Sequence, residues 1–474
     1  MKRNSDYRKA RMKINFNTEI ERIDSFDVVV CGGGPSGIAA ALQSSRAGLS
    51  VALIEENGCF GGTMTSAAVS HLLGGRRWDE KTRSMVREVG GIFDEITDSL
   101  IAKGKAVDPS TIDVDNNPYG WYPRMAAGIP CDSEALKREL DTLIQDSGIT
   151  AALFTTVVAI QRDVQDDALI KYLIAHDQSG FRAFTAKTII DATGDAQIAF
   201  LAGCPVRTGR DEDNLMTPAT LIMHVDHVDM QRYVAYQNRH QQPKLIDIIT
   251  RLKDEGVWNF PYEIFIAIQL NDEDVCMVNT VRQVGVDGTN AQSLTDAMID
   301  GRRQCDELLQ IMKRYFPGFE QARLRFTAPR IGIRETRRIS GRSNVTLRDA
   351  LDGRRYEDEV LKTTYNFDLP DPKRPSFDPM LGSVDNPNAK RTHVGIYAPY
   401  GVMLPQTVDN LIVCGRCVSV DREVLGPMRV TGPAMMGGQA AGFAAALAKQ
   451  YEIHACAVDG REVRESLVQA GCIL

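Results

Sequence analysis

The first regular pattern along the chain is a run of apolar residues that ends in a cluster of glycines. Residues 28–31 have the unbroken apolar character of a buried strand, and the small apolar residues at 38–47 predict a helix. A second apolar run at 50–54 ends on Glu55. This succession predicts a strand, a helix and a second, parallel strand, which is the repeating unit of doubly wound sheets.

The glycines between the first strand and the helix have the spacing G-x-G-x-x-G, at Gly32, Gly34 and Gly37. In this context the first glycine permits a tight turn, the second lets a pyrophosphate approach the backbone, and the third lets helix and strand pack closely. The N-terminus of the helix then presents N–H groups to the phosphates. Glu55 is placed to accept the hydroxyls of an adenosine ribose, so we predict a dinucleotide site.

Further helices and strands are predicted along the chain from their apolar patterns. An apolar stripe of Leu136, Leu140, Leu143 and Ile144 follows a candidate cap at Asp132 or Ser133 and predicts a helix within 130–148. A small-residue helix is predicted at 434–449, with Pro433 near its start. Further apolar runs predict strands at 154–160, 170–175, 184–191 and 410–414.

The pattern of predicted strands and helices changes in the middle of the chain, and this change suggests a second domain. Strands are predicted there at 221–225 and 275–281, and helices at 231–253 and 293–315. The predicted fold class is α/β: a Rossmann-like nucleotide-binding domain with a parallel central sheet, plus an inserted α+β substrate domain. The predicted parts are a surface leader at 1–24, the Rossmann-like domain at 25–210, the substrate domain at 211–329, a return segment at 330–345, a proline-rich cover at 346–394 and a C-terminal part at 395–474.

Composition limits the classes of partner. The chain has 474 residues, 43% of them hydrophobic and 25% charged, with a net charge of −7. This balance gives no support for binding to nucleic acid or to an anionic membrane, and no apolar run is long enough to span a bilayer. Ten scattered cysteines without a secretory signal favour reduced thiols and a cytoplasmic location.

Nicotinamide and flavin enzymes share the glycine fingerprint, and other motifs distinguish them. These motifs are Gly61-Gly62-Thr63-Met64-Thr65, the segment Gly332 to Gly341, and the segment Asn410 to Ala446. Together with the fingerprint they make the chain resemble the FAD-dependent oxidoreductase family, whose members have a glutathione-reductase-like fold. The resemblance implies that FAD is the cofactor and that distant chain segments converge on it.

The resemblance and the motifs together assign a set of cofactor-binding residues. These are Gly32, Gly34, Pro35, Ser36, Gly37, Glu55, Glu56, Gly61, Gly62, Thr63, Val157, Ala192, Thr193, Gly194, Gly415, Arg416, Gly432 and Ala434. The helix that begins near Pro433 is expected to direct its N-terminus at the flavin edge, where reduction places negative charge.

Candidate catalytic residues are mainly arginines. One of Arg334, Arg337 or Arg338 is expected to reach the flavin or the substrate, since a guanidinium suits carboxylate, phosphate or flavin carbonyl groups. Arg429 is a second candidate beside the flavin. The alternatives are a solvated charged face for the first group and an ion pair for Arg429. Asp421-Arg422 stands where many members of the family have a Thr-His pair, and with Glu423 it forms either a new polar site or a plain loop.

Two histidine positions and one cysteine pair complete the candidates. His224 or His227 is a candidate general base on the substrate domain, and their spacing on a strand places them on opposite faces. His71 is a candidate for covalent flavin attachment, although a core histidine is the simpler interpretation. Cys414 and Cys417 form a C-x-x-C pair that we interpret as buried small hydrophobes. No metal site is predicted.

The sequence favours an enzyme that transfers hydride between a small organic substrate and FAD. An FAD monooxygenase and a non-catalytic flavin-binding redox sensor remain alternatives. No second dinucleotide fingerprint follows, so a dedicated NAD(P)H domain is not expected. The substrate, the electron acceptor and homo-oligomer formation stay open.

Overall fold

A computed structural model describes residues 16–79, 81–112, 127–242, 244–374 and 395–474. The strands are β1 (Ile23–Cys31), β2 (Val51–Ile54), β3 (His71–Leu72), β4 (Arg76–Asp79), β5 (Ser84–Arg87), β6 (Ile129–Pro130), β7 (Thr150–Ala152), β8 (Thr156–Arg162), β9 (Ile170–Asp177), β10 (Gly180–Asp191), β11 (Val206–Thr208), β12 (Ala219–Thr220), β13 (Met223–Asp226), β14 (Ala267–Gln269), β15 (Cys276–Val278), β16 (Arg282–Gln283), β17 (Arg323–Thr327), β18 (Arg337–Ile339), β19 (Glu359–Thr363), β20 (Ile396–Pro399) and β21 (Leu411–Val413). The α-helices are α1 (Pro35–Arg46), α2 (Gly91–Ala102), α3 (Ser133–Asp146), α4 (Gln197–Leu201), α5 (Met230–His240), α6 (Ile246–Asp254), α7 (Ala291–Tyr315), α8 (Leu347–Asp352), α9 (Arg422–Met428), α10 (Thr431–Gln450) and α11 (Gly460–Gln469).

The central sheet has the strand order β7-β2-β1-β10-β9-β8, and β21 also pairs with β10. Strands β7, β2, β1, β10 and β21 run parallel, whereas β9 pairs antiparallel with both β10 and β8. On the side away from β1, the long strand β10 has two partners, because its first half pairs with β9 and its last residues pair with β21. This arrangement confirms the predicted α/β class with a mostly parallel central sheet.

Helices α1 and α10 pack against each other on one face of this sheet. Their close approach depends on small residues, since a Cβ at Gly438 would lie 1.9 Å from the carbonyl oxygen of Ser36. The largest apolar core surrounds these helices and includes Leu42, Leu53 and Ala441. A smaller core on the opposite face holds Val29 and Ile189. The sheet is therefore covered on both faces, as parallel sheets require.

A second lobe is built on the antiparallel sheet β14-β15-β13-β17, which lies within residues 223–327. Its separate core contains an aromatic cluster, in which the rings of Phe265 and Phe316 are 4.7 Å apart. Two chain segments connect this lobe to the central sheet, and backbone hydrogen bonds between Thr220 and Gly332 join them. The domain boundaries predicted from the sequence stay predictions.

The structure corrects several predicted elements. The helix predicted at 231–253 is two helices, because Gln241 and Leu245 adopt left-handed backbone conformations between α5 and α6. Strand β1 begins at Ile23, inside the predicted leader, by pairing with Ala183 on β10. The predicted cover contains α8 and β19, and β19 pairs with β20.

Residues 1–15 of the leader and 375–394 of the cover lie outside the described residues. Within the described part of the chain, no helix is long and apolar enough to cross a bilayer.

Candidate cofactor and active site

A cavity of about 530 Å³ lies where the parallel strands of the central sheet end and the second lobe begins. Such an edge is where open α/β sheets bind ligands. Among the residues predicted to bind the cofactor, those that line the cavity are Gly32, Gly34, Pro35, Ser36, Glu55, Glu56, Gly62, Thr63, Val157, Ala192, Thr193, Gly194, Gly415, Arg416 and Ala434. The structure thus brings together segments that are far apart in the sequence.

The fold requires glycine at two positions of the glycine loop, Gly32 and Gly37, but not at Gly34. Gly32 has a φ of +100°, and a Cβ there would lie 2.5 Å from the carbonyl oxygen of Ala192. A Cβ at Gly37 would lie 1.8 Å from the carbonyl oxygen of Gly32. At Gly34, in contrast, the nearest protein atom to such a Cβ is the Cα of Gly62, at 4.0 Å. The bare backbone of Gly34 therefore borders open space in the cavity, as a pyrophosphate cradle requires.

Two helix N-termini point into the same cavity. Helix α1 begins after Gly34 with Pro35 at its first position, and α10 begins after Val430. Neither has a side-chain cap or an acidic residue in its first turn. The free N–H groups and the positive ends of the helix dipoles favour an anionic ligand there.

Gly37, Gly61 and Gly432 do not line the cavity, although the sequence suggested contact with the cofactor. The N–H of Gly432 donates to the carbonyl oxygen of Leu73 at 2.9 Å. A Cβ at Gly432 would lie 2.4 Å from the carbonyl oxygen of Gly74. Gly432 therefore allows α10 to pack on the loop after β3, and Gly37 similarly allows close packing inside the glycine loop.

Glu55 lies at the cavity wall and is 4% exposed. Its carboxylate accepts hydrogen bonds from the backbone N–H of Gly33 at 2.7 Å, from the backbone N–H of Asn57 at 2.8 Å and from the side-chain amide of Asn57 at 2.5 Å. A carboxylate has about four acceptor positions, so these bonds leave capacity for a ligand hydroxyl. The neighbouring Glu56 forms an ion pair with Arg330, which also lines the cavity.

Arg416 follows β21, and its side chain lies against Gly194 in the turn that follows β10. It donates to Asp195 at 2.7 Å, and Thr336 donates to the same carboxylate at 2.8 Å. Burial raises the pKa of Asp195, but the charge and hydrogen bond of Arg416 outweigh burial and hold it below its ordinary value. The pair fixes the C-terminal segment against Gly194, so the cavity wall at this point depends on both segments.

The three arginines of the segment before and within β18 have different surroundings. Arg337 lines the cavity, donates to the carbonyl oxygen of Asp195 at 3.1 Å and lies 4.1 Å from the ring centroid of Phe200. Arg338 does not reach the cavity, since it is 2% exposed and pairs with Glu335. Arg422 donates to the same Glu335 at 2.7 Å. Arg338 and Arg422 therefore form a buried ionic cluster that joins β18 to α9.

Arg334 lines the cavity on the side of the second lobe. Its Nη1 donates to the carbonyl oxygen of Pro218 at 2.6 Å and to the hydroxyl of Thr220 at 2.5 Å. Burial and the neighbouring cations Arg282 and Arg429 lower its pKa to about 9, so it is a cation at neutral pH. Arg429 also lines the cavity and donates to the carbonyl oxygen of Asp368 at 3.0 Å.

None of the three candidate histidines provides an accessible base at the cavity. His224 is 3% exposed, does not line the cavity, and its Nε2 lies 3.0 Å from the carbonyl oxygen of Ala68. His227 follows the end of β13, is half-exposed and pairs with Asp226. His71 borders the cavity, but both ring nitrogens are buried, and Nε2 lies against Gly128. Burial lowers the pKa of both His71 and His224 to about 4, so both rings are neutral at pH 7.

Several cavity residues gave no signal in the sequence. They include Leu73 on the loop after β3, Asn279 after β15 and Asp368 in the predicted cover. The side-chain Oδ1 of Asn279 has no hydrogen-bond partner among the described residues. These positions stand in irregular segments without a local pattern, so only tertiary packing reveals them. Cys414 and Cys417 are buried free thiols. The described residues contain no cluster of His, Cys, Asp and Glu that could hold a metal ion.

Comparison with known proteins adds a family match over almost the whole chain. The model of the family described as FAD dependent oxidoreductase matches residues 27–467. A segment of 81 residues is 35% identical to protoporphyrinogen oxidase 2 of Arabidopsis thaliana, and covers 16% of this chain and 15% of that protein. A segment of 75 residues is 33% identical to a protein of Dictyostelium discoideum named as a bifunctional amine oxidase, and covers 16% of this chain and 7% of that protein. These curated relatives are thus matched over a small part of their length.

Solved structures with similar folds are distant in sequence. A geranylgeranyl bacteriochlorophyll reductase-like protein from Thermoplasma acidophilum is 12% identical with a TM-score of 0.47, over 95% of this chain and 84% of that one. The p-nitrophenol 4-monooxygenase PnpA from Pseudomonas putida is 13% identical with a TM-score of 0.42, over 94% of this chain and 84% of that one.

Proposed function

The chain belongs to the FAD dependent oxidoreductase family, with FAD as its cofactor, and we propose that it transfers a hydride between a small organic substrate and FAD. The observation that supports this proposal is the convergence of three distant segments on one cavity. These segments contain Gly34 on the first crossover, Gly194 after β10 and Gly415 after β21. A wall built in this way suits an elongated dinucleotide better than a compact ligand.

The residues that would hold the cofactor follow from the geometry of the cavity. The pyrophosphate would lie at the N-terminus of α1, against the bare backbone of Gly34, and the adenosine ribose at Glu55. Arg416 and Asp195 would fix the wall beside it. The N-terminus of α10 would face the redox ring system, where its dipole contributes about 0.3–2 kcal/mol toward stabilising negative charge.

FAD, when bound, supplies the capacity to accept or release a hydride, and the protein supplies position and electrostatics. The cavity continues from the start of α10 onto the second lobe, where Thr220, Asn279 and Arg334 provide polar groups for a substrate. Asp368, from the predicted cover, borders the same space. His224 has no contact with the cavity, so we do not assign it as a base. We further propose a cytoplasmic location, which the ten free thiols support.

The proposal is tested by the absorbance spectrum of the purified protein before and after heat denaturation. We expect a flavin spectrum that moves entirely into the supernatant, because both ring nitrogens of His71, the described histidine that borders the cavity, are buried. Anaerobic incubation with candidate substrates should then bleach the flavin. A colourless protein that does not take up added FAD would refute the cofactor assignment. Bleaching by NAD(P)H that is stimulated by a substrate would instead favour a monooxygenase.

A further inference from the structure

We propose that the substrate is a carboxylic acid and that its carboxylate binds Arg334 on the wall formed by the second lobe. This inference rests on the proposed function and specifies the class of substrate. It depends on the hydrogen bonds of Arg334, on the charges that surround it, and on its position relative to the expected pyrophosphate site.

The guanidinium of Arg334 is held in place through one of its nitrogens, and its other N–H donors have no partner among the described residues. Nη1 is bound to Pro218 and Thr220 on the segment of β12, which fixes the plane of the group. Among the described residues, Nη2 and Nε of Arg334 have no hydrogen-bond acceptor, and the side chain forms no ion pair. A guanidinium offers five donors in a planar fork that matches a carboxylate. The remaining donors are therefore available to an anion in the cavity.

Three other arginines of the cavity are paired with carboxylates. Arg330 pairs with Glu56, Arg416 with Asp195, and Arg429 with Asp368. Arg337 lacks a carboxylate partner but donates to Asp195 and Gln197 oxygens and lies over an aromatic ring.

Arg334 is thus a half-buried cation next to two further arginines, Arg282 and Arg429, and to one carboxylate, Asp368. Burial is the main cause of the lowered pKa of Arg334, and the neighbouring positive charges lower it further. Burying a cation without a partner is unfavourable, and a bound carboxylate would remove that cost.

The pyrophosphate of the cofactor does not explain Arg334. Its expected place is at the N-terminus of α1, on the central sheet, whereas Arg334 is bonded to the segment around β12 in the wall of the other lobe. The remaining alternative is that Arg334 faces the flavin ring itself and binds no substrate. The two possibilities differ in whether a free carboxylate binds to the protein when FAD is present.

The experiment uses the purified protein with its FAD content measured first. Three matched pairs serve as probes: propionate and propionamide, benzoate and benzamide, succinate and succinamide. Binding is followed by the change in flavin absorbance and by calorimetry, in a chloride-free buffer. We expect at least one carboxylate to bind at least tenfold more tightly than its amide. Arg334→Gln should weaken that carboxylate at least tenfold while the FAD content stays unchanged.

Two further variants keep the result interpretable. Arg334→Lys retains the charge but not the fork, so we expect intermediate affinity, and it tests the site if Arg334→Gln does not retain FAD. Arg348→Gln is the control, because Arg348 is exposed, lies outside the cavity lining and pairs with Asp352 on the same helix. The inference is wrong if holoprotein binds no carboxylate in preference to its amide, or if both Arg334 variants bind the carboxylate as wild type does. A protein without FAD would refute the proposed function instead.

Discussion

Replacing Gly34 by alanine separates the needs of the fold from the needs of the cofactor. Gly34 has φ −76° and ψ −173°, which any residue adopts, and its Cβ would be 4.0 Å from the nearest protein atom. We therefore expect the cofactor-free variant to be at least as stable as wild type. A glycine-to-alanine change without strain stabilises a protein by about 0.4–1 kcal/mol, because it reduces the entropy of the unfolded chain.

The same methyl group would stand where the pyrophosphate approaches the backbone. If it prevents one hydrogen bond to a charged oxygen, the loss is about 1.5–3 kcal/mol, or roughly 10- to 150-fold in Kd. The assay is fluorescence titration of cofactor-free protein with FAD, beside thermal unfolding of the same samples. Gly37→Ala is the contrast, because its Cβ would lie 1.8 Å from the carbonyl oxygen of Gly32 and should lower stability.

The reasoning fails in either of two cases. A Gly34→Ala variant that binds FAD within twofold of wild type would show that the phosphates do not approach this backbone. A variant that loses stability without its cofactor would show that the space beside Gly34 is filled by protein. The second result would also make any loss of FAD uninterpretable as a direct contact.

Three further changes probe other parts of the molecule. Glu55→Ala should weaken FAD binding without unfolding the protein, and equal affinity by fluorescence titration would place the ribose elsewhere. Glu335→Ala leaves Arg338 buried without its carboxylate, so denaturant unfolding should show a loss of about 3–5 kcal/mol; a loss below about 1 kcal/mol would contradict this account. Burial raises the pKa of Asp27, but hydrogen bonds, chiefly from Lys449, lower it from 3.8 to about 2. That contribution to stability is complete above about pH 4 and is lost as the pH falls toward 2, so the thermal midpoint of Asp27→Asn should fall less over this range than that of wild type.

The elements around the glycine loop were predictable because local pattern and tertiary role agree there. Strand β1, helix α1 and strand β2 each have an unbroken apolar or small-residue run, and the fingerprint lies between them. Helix α9 gave no such pattern, since Gly426 and Pro427 stand inside it. Packing against β19 and the bond from Arg422 to Glu335 stabilise it instead.

The candidate site was predictable mainly where the backbone itself borders the cavity. Glycine spacing pointed to the turn at Gly34, and the family resemblance pointed to the turns at Gly194 and Gly415. Side chains on the second lobe are different, because the alternation of a strand does not say which face borders a cavity. His224 was predicted there and instead lies in the core against Ala68, whereas Asn279 was missed. The glutathione-reductase-like character suggested by the motifs stays a prediction.

The pairing of β21 with β10 and the packing of α10 on α1 also set the order of events during biosynthesis. A ribosome releases α1 long before it reaches residues 411–450, so a nascent polypeptide carries only half of the crevice. We therefore expect stable capture of FAD to be a late event in maturation. A translation product interrupted before residue 411 would have the turn at Gly34 but lack the wall at Gly415 and Arg416, so we expect it to retain the cofactor poorly.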